Sequence, residues 1–282
     1  MADLWTALEI RGGATGEGHD EASGGDRGVD DESPLARDSG SESEEEIRMA
    51  FARFAPGGVT VLSVDPLLVR LHGFASRTDC DAIMAHASED VAESTTWVSA
   101  DVQGESNELR KSATTWIADS SLPLLERLTA MVCGMSGLPS AFMEMWQVAR
   151  YKPQGYFNLH TDHVEAFNDL CCGGRLATLI LYLNDGFRGG QTDFPNLGVS
   201  VEPSAGDAIY FHSVETPVAR EDADNMVTDE RSAHAGLRVE GRDKWIATKW
   251  IHPLPYPNGR VGAGTRRQAG WDEGAGGVGS AQ

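Results

Sequence analysis

Along the 282-residue chain the apolar positions follow one rhythm ahead of residue 145 and another behind it. In 59–71 valine and leucine cluster on either side of Asp65-Pro66, which predicts two short strands separated by a turn. A helix follows: Ser76 can cap it with Asp79 three residues on, and Cys80, Ile83, Met84, Ala87 and Val91 then recur on one face. A second helix is expected from Ser121, with Pro123 in its first turn and Leu124, Leu125, Leu128 and Val132 as its apolar stripe. From residue 145 onward the runs shorten and acquire strand character, at 145–151, 176–183, 199–201, 208–212 and 244–252. Turn-forming clusters such as Arg188-Gly189-Gly190 and Ala205-Gly206-Asp207 separate them. Short strands in succession without helices between them predict an antiparallel sandwich or barrel. The fold class is therefore mainly β with flanking helices (α+β).

Composition changes this picture at the two ends. The segment 17–46 is dominated by Asp, Glu, Gly and Ser and nearly lacks large apolar residues, so burial there cannot offset the entropy of ordering. Residues 1–57 are expected to be a disordered acidic tail, and 257–282 a second, Gly-rich one. The 40% apolar content still permits a real core in the remainder. A net charge of −20 and a pI near 4.7 argue against a nucleic-acid partner, which would demand a basic patch. The four cysteines, Cys80, Cys133, Cys171 and Cys172, show no zinc-like spacing. The start of the chain has no basic region followed by a long apolar stretch, so no secretion signal or membrane segment is visible. As written, the chain reads as soluble and intracellular.

The candidate chemistry begins at His160-Thr161-Asp162. Two ligand-capable side chains two residues apart share one face of a strand, and His234, far downstream, can close a third corner from a neighbouring strand. Two imidazoles and one carboxylate with open positions are the arrangement expected of an Fe(II) oxygenase. An isolated His-x-Asp is more often a hydrogen-bonded pair at a turn. Here the strand-rich surroundings, Tyr151 ahead of the pair and a cation downstream of His234 weigh the other way. That cation is Lys244, which shares a strand face with Ile246, Thr248 and Trp250. A lysine facing a barrel interior is costly unless paired, and a bound dicarboxylate would supply the pair.

With these residues in view, the chain resembles the prolyl 4-hydroxylase (procollagen-proline 4-dioxygenase alpha-subunit) family. The matching motifs are Val148-Ala149-Arg150-Tyr151, His160-Thr161-Asp162, Gly189-Gly190-Gln191-Thr192-Asp193-Phe194-Pro195, and His234-Ala235-Gly236 through Lys244-Trp245 to Trp250. Upstream, Leu71-His72-Gly73-Phe74 through Arg110-Lys111-Ser112 is similar to the family's amino-terminal half, so the likeness covers 59–255. It implies a double-stranded β-helix (jelly-roll) core at about 144–253, within a catalytic domain at 58–256. It implies Fe(II) on His160, Asp162 and His234, and 2-oxoglutarate on Lys244 with help from Tyr151, Thr192 and Trp250. Arg175 falls where family members carry an arginine implicated in peptide contact. The implied reaction takes 2-oxoglutarate and O2 to succinate and CO2 while a proline-containing peptide or protein is hydroxylated at C4, with L-ascorbate rescuing oxidised iron. Family members often act in the endoplasmic reticulum.

Two departures qualify the resemblance. Family members more often carry tyrosine three residues ahead of the first iron ligand, where this chain has Phe157, and Tyr156 could substitute only if the strand register shifted. An acidic stretch, 213–231, precedes His234 and is expected to form a mobile loop or solvated insertion near the site. Other readings stay open: the same oxygenase chemistry on another protein side chain or a small molecule, a metal-dependent hydrolase, or a non-catalytic acidic interaction domain.

Overall fold

The computed structural model describes residues 43–93, 109–216, 218 and 222–257. The expected tails therefore lie outside the described residues except at 43–57 and at Pro257, and the first of these stretches contains a helix. Helix α1, Glu44–Ala52, starts from a capping box between Ser43 and Glu46 and buries Ile47 and Phe51. Phe51 packs on Tyr210 with ring centroids 5.6 Å apart. Two apolar residues four apart put one helical face into the core, which composition averaged over an acidic segment concealed.

Strands β1 (Val59–Ser63) and β2 (Leu68–Leu71) pair antiparallel around the Asp65-Pro66 turn, as the pattern predicted. Helix α2, Arg77–Ala87, carries the expected Ser76–Asp79 capping box and buries Cys80, Ile83 and Ala87, while Val91 lies beyond its end. Two short strands follow, β3 (Ala92–Glu93) and β4 (Arg110–Lys111), then β5 (Ala113–Ile117). Helix α3, Pro123–Ser136, begins two residues later than Ser121, which closes a preceding turn of 3-10 helix instead of capping. Its stripe buries Leu125, Leu128 and Val132, and Leu124 packs at the margin.

The remaining strands are β6 (Trp146–Tyr151), β7 (Tyr156–His160), β8 (Ala177–Tyr182), β9 (Arg188–Gly189), β10 (Thr192–Phe194), β11 (Val199–Val201), β12 (Ala208–His212), β13 (His234–Gly236), β14 (Val239–Glu240) and β15 (Lys244–Ile251). They form a large sheet in the order β1-β2-β12-β8-β15-β6-β5-β3 and a small one in the order β11-β10-β13-β7-β4. Every strand pair is antiparallel. This is the jelly-roll arrangement, with flanking helices among the described residues.

Two cores result. One lies against the helices, where Trp146, Leu179, Leu181, Ala247 and Ile251 meet α1, α2 and α3. The other lies between the sheets, around Ala149, Tyr182, Phe194, Ile209 and Phe211. Because β15 is covered on both faces, all eight of its residues are buried. Two-residue alternation then sends Lys244, Ile246, Thr248 and Trp250 toward the small sheet and Lys249 toward the helices. There Lys249 is paired with Asp119 at 2.5 Å.

The insertion at 213–231 is more closely packed than a solvated loop. Among its described residues Val214, Val218, Ala223 and Met226 are buried, and Val214 bridges to Thr228. Asn168 Nδ2 donates to the Met226 carbonyl at 2.8 Å, which ties the insertion to the loop after Asp162. Among the described residues no helix is long and apolar enough to cross a membrane.

Candidate active site

The mouth between the two sheets forms a narrow cavity of about 40 Å³ that opens to solvent. Its small-sheet wall is set by register. In β7 and β13, His160 stands opposite His234 and Phe157 opposite Gly236, so three steps on β7 answer two on β13. The bulge cancels the usual alternation: Phe157 and His160, which would point to opposite sides of a regular strand, face the cavity together. Pairing extends this row, since Arg110 stands opposite Phe157 and Thr192 opposite Gly236. Tyr156 is on the other side, its ring under the Arg238 guanidinium at 4.9 Å, and therefore does not substitute for the family's tyrosine.

His160, Asp162 and His234 converge so that one potential ligand atom from each lies within 4.8 Å of the others. Both imidazoles are oriented by backbone carbonyls: His160 Nδ1 lies 2.8 Å from the Asn158 oxygen and His234 Nδ1 3.1 Å from the Ser232 oxygen. Such bonds place the ring hydrogen on Nδ1 and leave the Nε2 lone pair for a metal. Burial, reinforced by the neighbouring His234, pushes the His160 pKa down to about 3 and keeps the ring neutral. Burial alone would raise the Asp162 carboxyl, but the two imidazoles, Arg175 and the Thr178 hydroxyl outweigh it and hold the group below the usual carboxylate range. Thr178 Oγ1 donates to Asp162 Oδ2 at 2.7 Å and so orients the carboxylate. Two imidazoles with free Nε2 atoms beside an ionised carboxylate, with open space in front, suit a divalent ion that keeps coordination positions free.

On the facing wall Lys244 is 3% exposed, and its Nζ donates to the Gly190 carbonyl at 2.6 Å. Gly190 presents that carbonyl from φ +70°, in the left-handed region that glycine enters without strain. The ammonium also sits 5.6 Å from the centre of the Tyr151 ring and 5.7 Å from that of Tyr182. No salt bridge reaches it among the described residues, and burial lowers its pKa to about 7. Tyr182 donates to Thr192 Oγ1 at 2.8 Å, and Tyr151, Ile180, Thr192 and Ile246 line the cavity with Lys244. Two further buried donors lack a partner here, Arg110 Nε and Trp250 Nε1. A cavity rich in unsatisfied donors calls for an oxygen-rich anionic ligand.

Arg175 is committed elsewhere. Its Nε and Nη2 grip Glu144 at 2.7 and 3.3 Å, and its guanidinium stacks 3.7 Å from the centre of the Trp250 ring. Glu144, held down to about 2 against its own burial by Arg175 and His252, also meets His252 Nε2 at 3.1 Å. Arg175 thus contacts the site through Trp250 and does not line the cavity. The sequence reading passed over Thr178, Gln147, Arg110, Glu144 and His252. Gln147 and Thr178 could have been found as lone polar residues inside apolar runs, Gln147 in register with Tyr151. Arg110 falls within the upstream stretch of the resemblance, but its place in the site depends on β4 pairing with β7 across a long stretch of chain.

Residues 146–252 match the model of the 2OG-Fe(II) oxygenase superfamily, a span that takes in every site residue on β6 through β15. "Prolyl 4-hydroxylase 1" of Arabidopsis thaliana is 31% identical over 68% of this chain and 70% of its own length. A "Putative prolyl 4-hydroxylase" of Acanthamoeba polyphaga mimivirus is 30% identical over 66% of this chain and 74% of its own. "Prolyl 4-hydroxylase subunit alpha-2" of Caenorhabditis elegans is also 30% identical, but the match spans only 37% of that longer subunit. Among solved structures, the viral collagen prolyl hydroxylase of Paramecium Bursaria Chlorella virus-1, crystallised as its 2OG complex, superposes with a TM-score of 0.52 at 26% identity. It covers 66% of this chain and 95% of that one. Antiparallel jelly roll, His-Asp-His cluster and family match agree: the chain belongs to the prolyl 4-hydroxylase family of 2OG-Fe(II) oxygenases.

Proposed function

We propose that the protein is a 2-oxoglutarate-dependent dioxygenase that hydroxylates peptidyl proline at C4, with iron held by the Nε2 atoms of His160 and His234 and by Asp162. The observation that carries the reading is the pairing of two half-sites across one cavity, three metal-ligating side chains on one wall and a buried, carboxylate-free Lys244 on the other. A dicarboxylate would be held there by Lys244 with Thr192 and Tyr151, opposite the three metal-ligating side chains. Bound there, iron with 2-oxoglutarate and O2 supplies the oxidant for an unactivated C–H bond, with succinate and CO2 as coproducts. The chain's own part is positioning and exclusion of water: Thr178 aims the carboxylate, backbone carbonyls fix both imidazole tautomers, and Ile180 and Ile246 keep the cosubstrate pocket dry.

The relatives' printed names supply the proline substrate, and the family resemblance adds L-ascorbate as the accompanying reductant. Trp250, with Arg175 on one face and Trp116 tilted against it at 5.7 Å, forms an aromatic wall beside the metal residues. Such walls suit the extended, pre-ordered backbone of proline-rich segments. Helix α1 joins the catalytic unit in this reading, which moves its start from residue 58 to residue 43.

The test is succinate formation by anaerobically iron-loaded protein, with and without a proline-rich peptide, beside Asp162→Ala. The expected result is peptide-stimulated turnover, a gain of about 16 Da on proline and loss of both in the variant. Turnover indifferent to the peptide would keep the oxygenase and discard the substrate. Absence of both turnover and iron binding would discard the whole reading.

A further inference from the structure

The two histidines of the cluster are held in different ways. His234 is buried between two rings, Phe194 at 5.3 Å and Phe211 at 5.0 Å, in addition to its bond to the Ser232 carbonyl. His160 stands at the end of β7 with its side chain 14% exposed, and one backbone carbonyl holds its Nδ1. A single hydrogen bond fixes the tautomer. It leaves the ring free to swing about that bond, because the outer torsion of a histidine is broad. The face of the ring is what needs support. That face is covered by Phe157, whose ring lies nearly parallel at 16° with centroids 3.6 Å apart.

Phe157 is itself held from behind. The Arg110 guanidinium lies 4.7 Å from the centre of its ring, and Arg110 is tied down by bonds to Gln147 Oε1 at 3.1 Å and to the Tyr151 hydroxyl at 3.2 Å. Opposite Phe157 on β13 stands Gly236, which brings no side chain of its own to the pair. The result is a three-layer stack of guanidinium, benzene ring and imidazole. It exists only because the β7 bulge turns residues 157 and 160 to the same side.

We propose that Phe157 is a positioning residue for His160, its ring clamped by Arg110 so that the imidazole plane is preset to offer Nε2 to the metal. The proposal rests on the iron-site reading above and deepens it. It assigns the work at this position to the aromatic face and not to a phenol, so a ring of either kind serves. Tyr156 cannot take over, since it stacks on Arg238 on the outer side of the sheet.

The experiment is equilibrium binding of Co(II), a spectroscopic probe for the iron position, to the full chain and to Phe157→Leu and Phe157→Tyr. It is followed by the visible absorption of the bound ion and by competition with a chelator. A ring stack of this kind corresponds to roughly threefold to tenfold in an equilibrium constant. Phe157→Leu is therefore expected to bind Co(II) about threefold to tenfold more weakly with a shifted visible band, and Phe157→Tyr to stay within about twofold with the native band. Should the leucine variant fail to fold, Phe157→Met keeps the bulk without the ring and is expected to weaken binding in the same way. The band separates positioning from loss of stability, because a residue that only supports the fold leaves the spectrum of the bound ion unchanged. Native affinity and band in Phe157→Leu, or a loss in Phe157→Tyr equal to that in Phe157→Leu, would overturn the proposal while leaving the iron site standing. Failure of the unaltered chain to bind Co(II) at all would overturn both.

Discussion

Replacing Lys244 with methionine removes a charge that the fold carries at a cost and that only a ligand repays. In the ligand-free protein the ammonium is buried with one carbonyl as hydrogen-bond acceptor, and burial lowers its pKa from 10.5 to about 7. A displacement of that size corresponds to a penalty of order 5 kcal/mol for the charged form. The sign follows from proton counts. Between pH 7 and 10.5 the unfolded lysine is protonated and the folded one is not, so the penalty is fully present below about pH 7 and is relieved as pH rises toward 10.5. Methionine fills similar space without the charge. Lys244→Met is expected to raise the unfolding midpoint of the ligand-free protein at pH 7 and to flatten its rise with pH. The same substitution should cripple 2-oxoglutarate binding. Removing one partner of a buried charge pair costs about 2–5 kcal/mol, or roughly 30-fold to several thousand-fold in Kd. In the unaltered protein affinity should be flat below about pH 7 and fall about tenfold per pH unit above it, as the empty site loses its proton. Calorimetric titration of 2-oxoglutarate into Co(II)-loaded protein, beside thermal unfolding without ligand, measures both arms. A variant that binds 2-oxoglutarate within about twofold of the parent would refute the placement of the distal carboxylate on Lys244.

Thr178→Val keeps the volume of β8 but strips Asp162 of its hydroxyl donor; metal affinity should fall about tenfold in the Co(II) titration while the fold survives. Glu144→Gln leaves Arg175 without its anion and should destabilise the protein by about 3 kcal/mol in denaturant unfolding at pH 7. In the parent, the Glu144 carboxyl is lowered from 4.5 to about 2, so its stabilisation is complete above pH 4.5 and is lost as pH falls toward 2; the glutamine variant should lack that component of acid unfolding. Phe51→Ala should cost about 3–5 kcal/mol by emptying the seat of α1 against Tyr210, and an unchanged midpoint would return residues 43–57 to the status of a tail.

What the chain disclosed by itself was whatever depends on near neighbours. The capping box at Ser76, the paired strands around Asp65-Pro66, and the common face of Lys244, Ile246, Thr248 and Trp250 all follow from periodicities of a few residues. The candidate metal cluster was legible because His160 and Asp162 are close in sequence and have Tyr151 ahead of them and Lys244 downstream of His234. What only the tertiary structure decided was everything set by register and by distant pairing. A one-residue bulge in β7 turned Phe157 toward His160, and β4 brought Arg110 over it from far upstream. Glu144 and His252 drew Arg175 away from the cavity. Helix α1 was hidden because only two of its residues reach the core, and their burial depends on β12 lying beneath them. Local rhythm says which way a side chain points relative to its own strand. Which partner stands opposite is decided only when strands far apart in the chain close into one barrel.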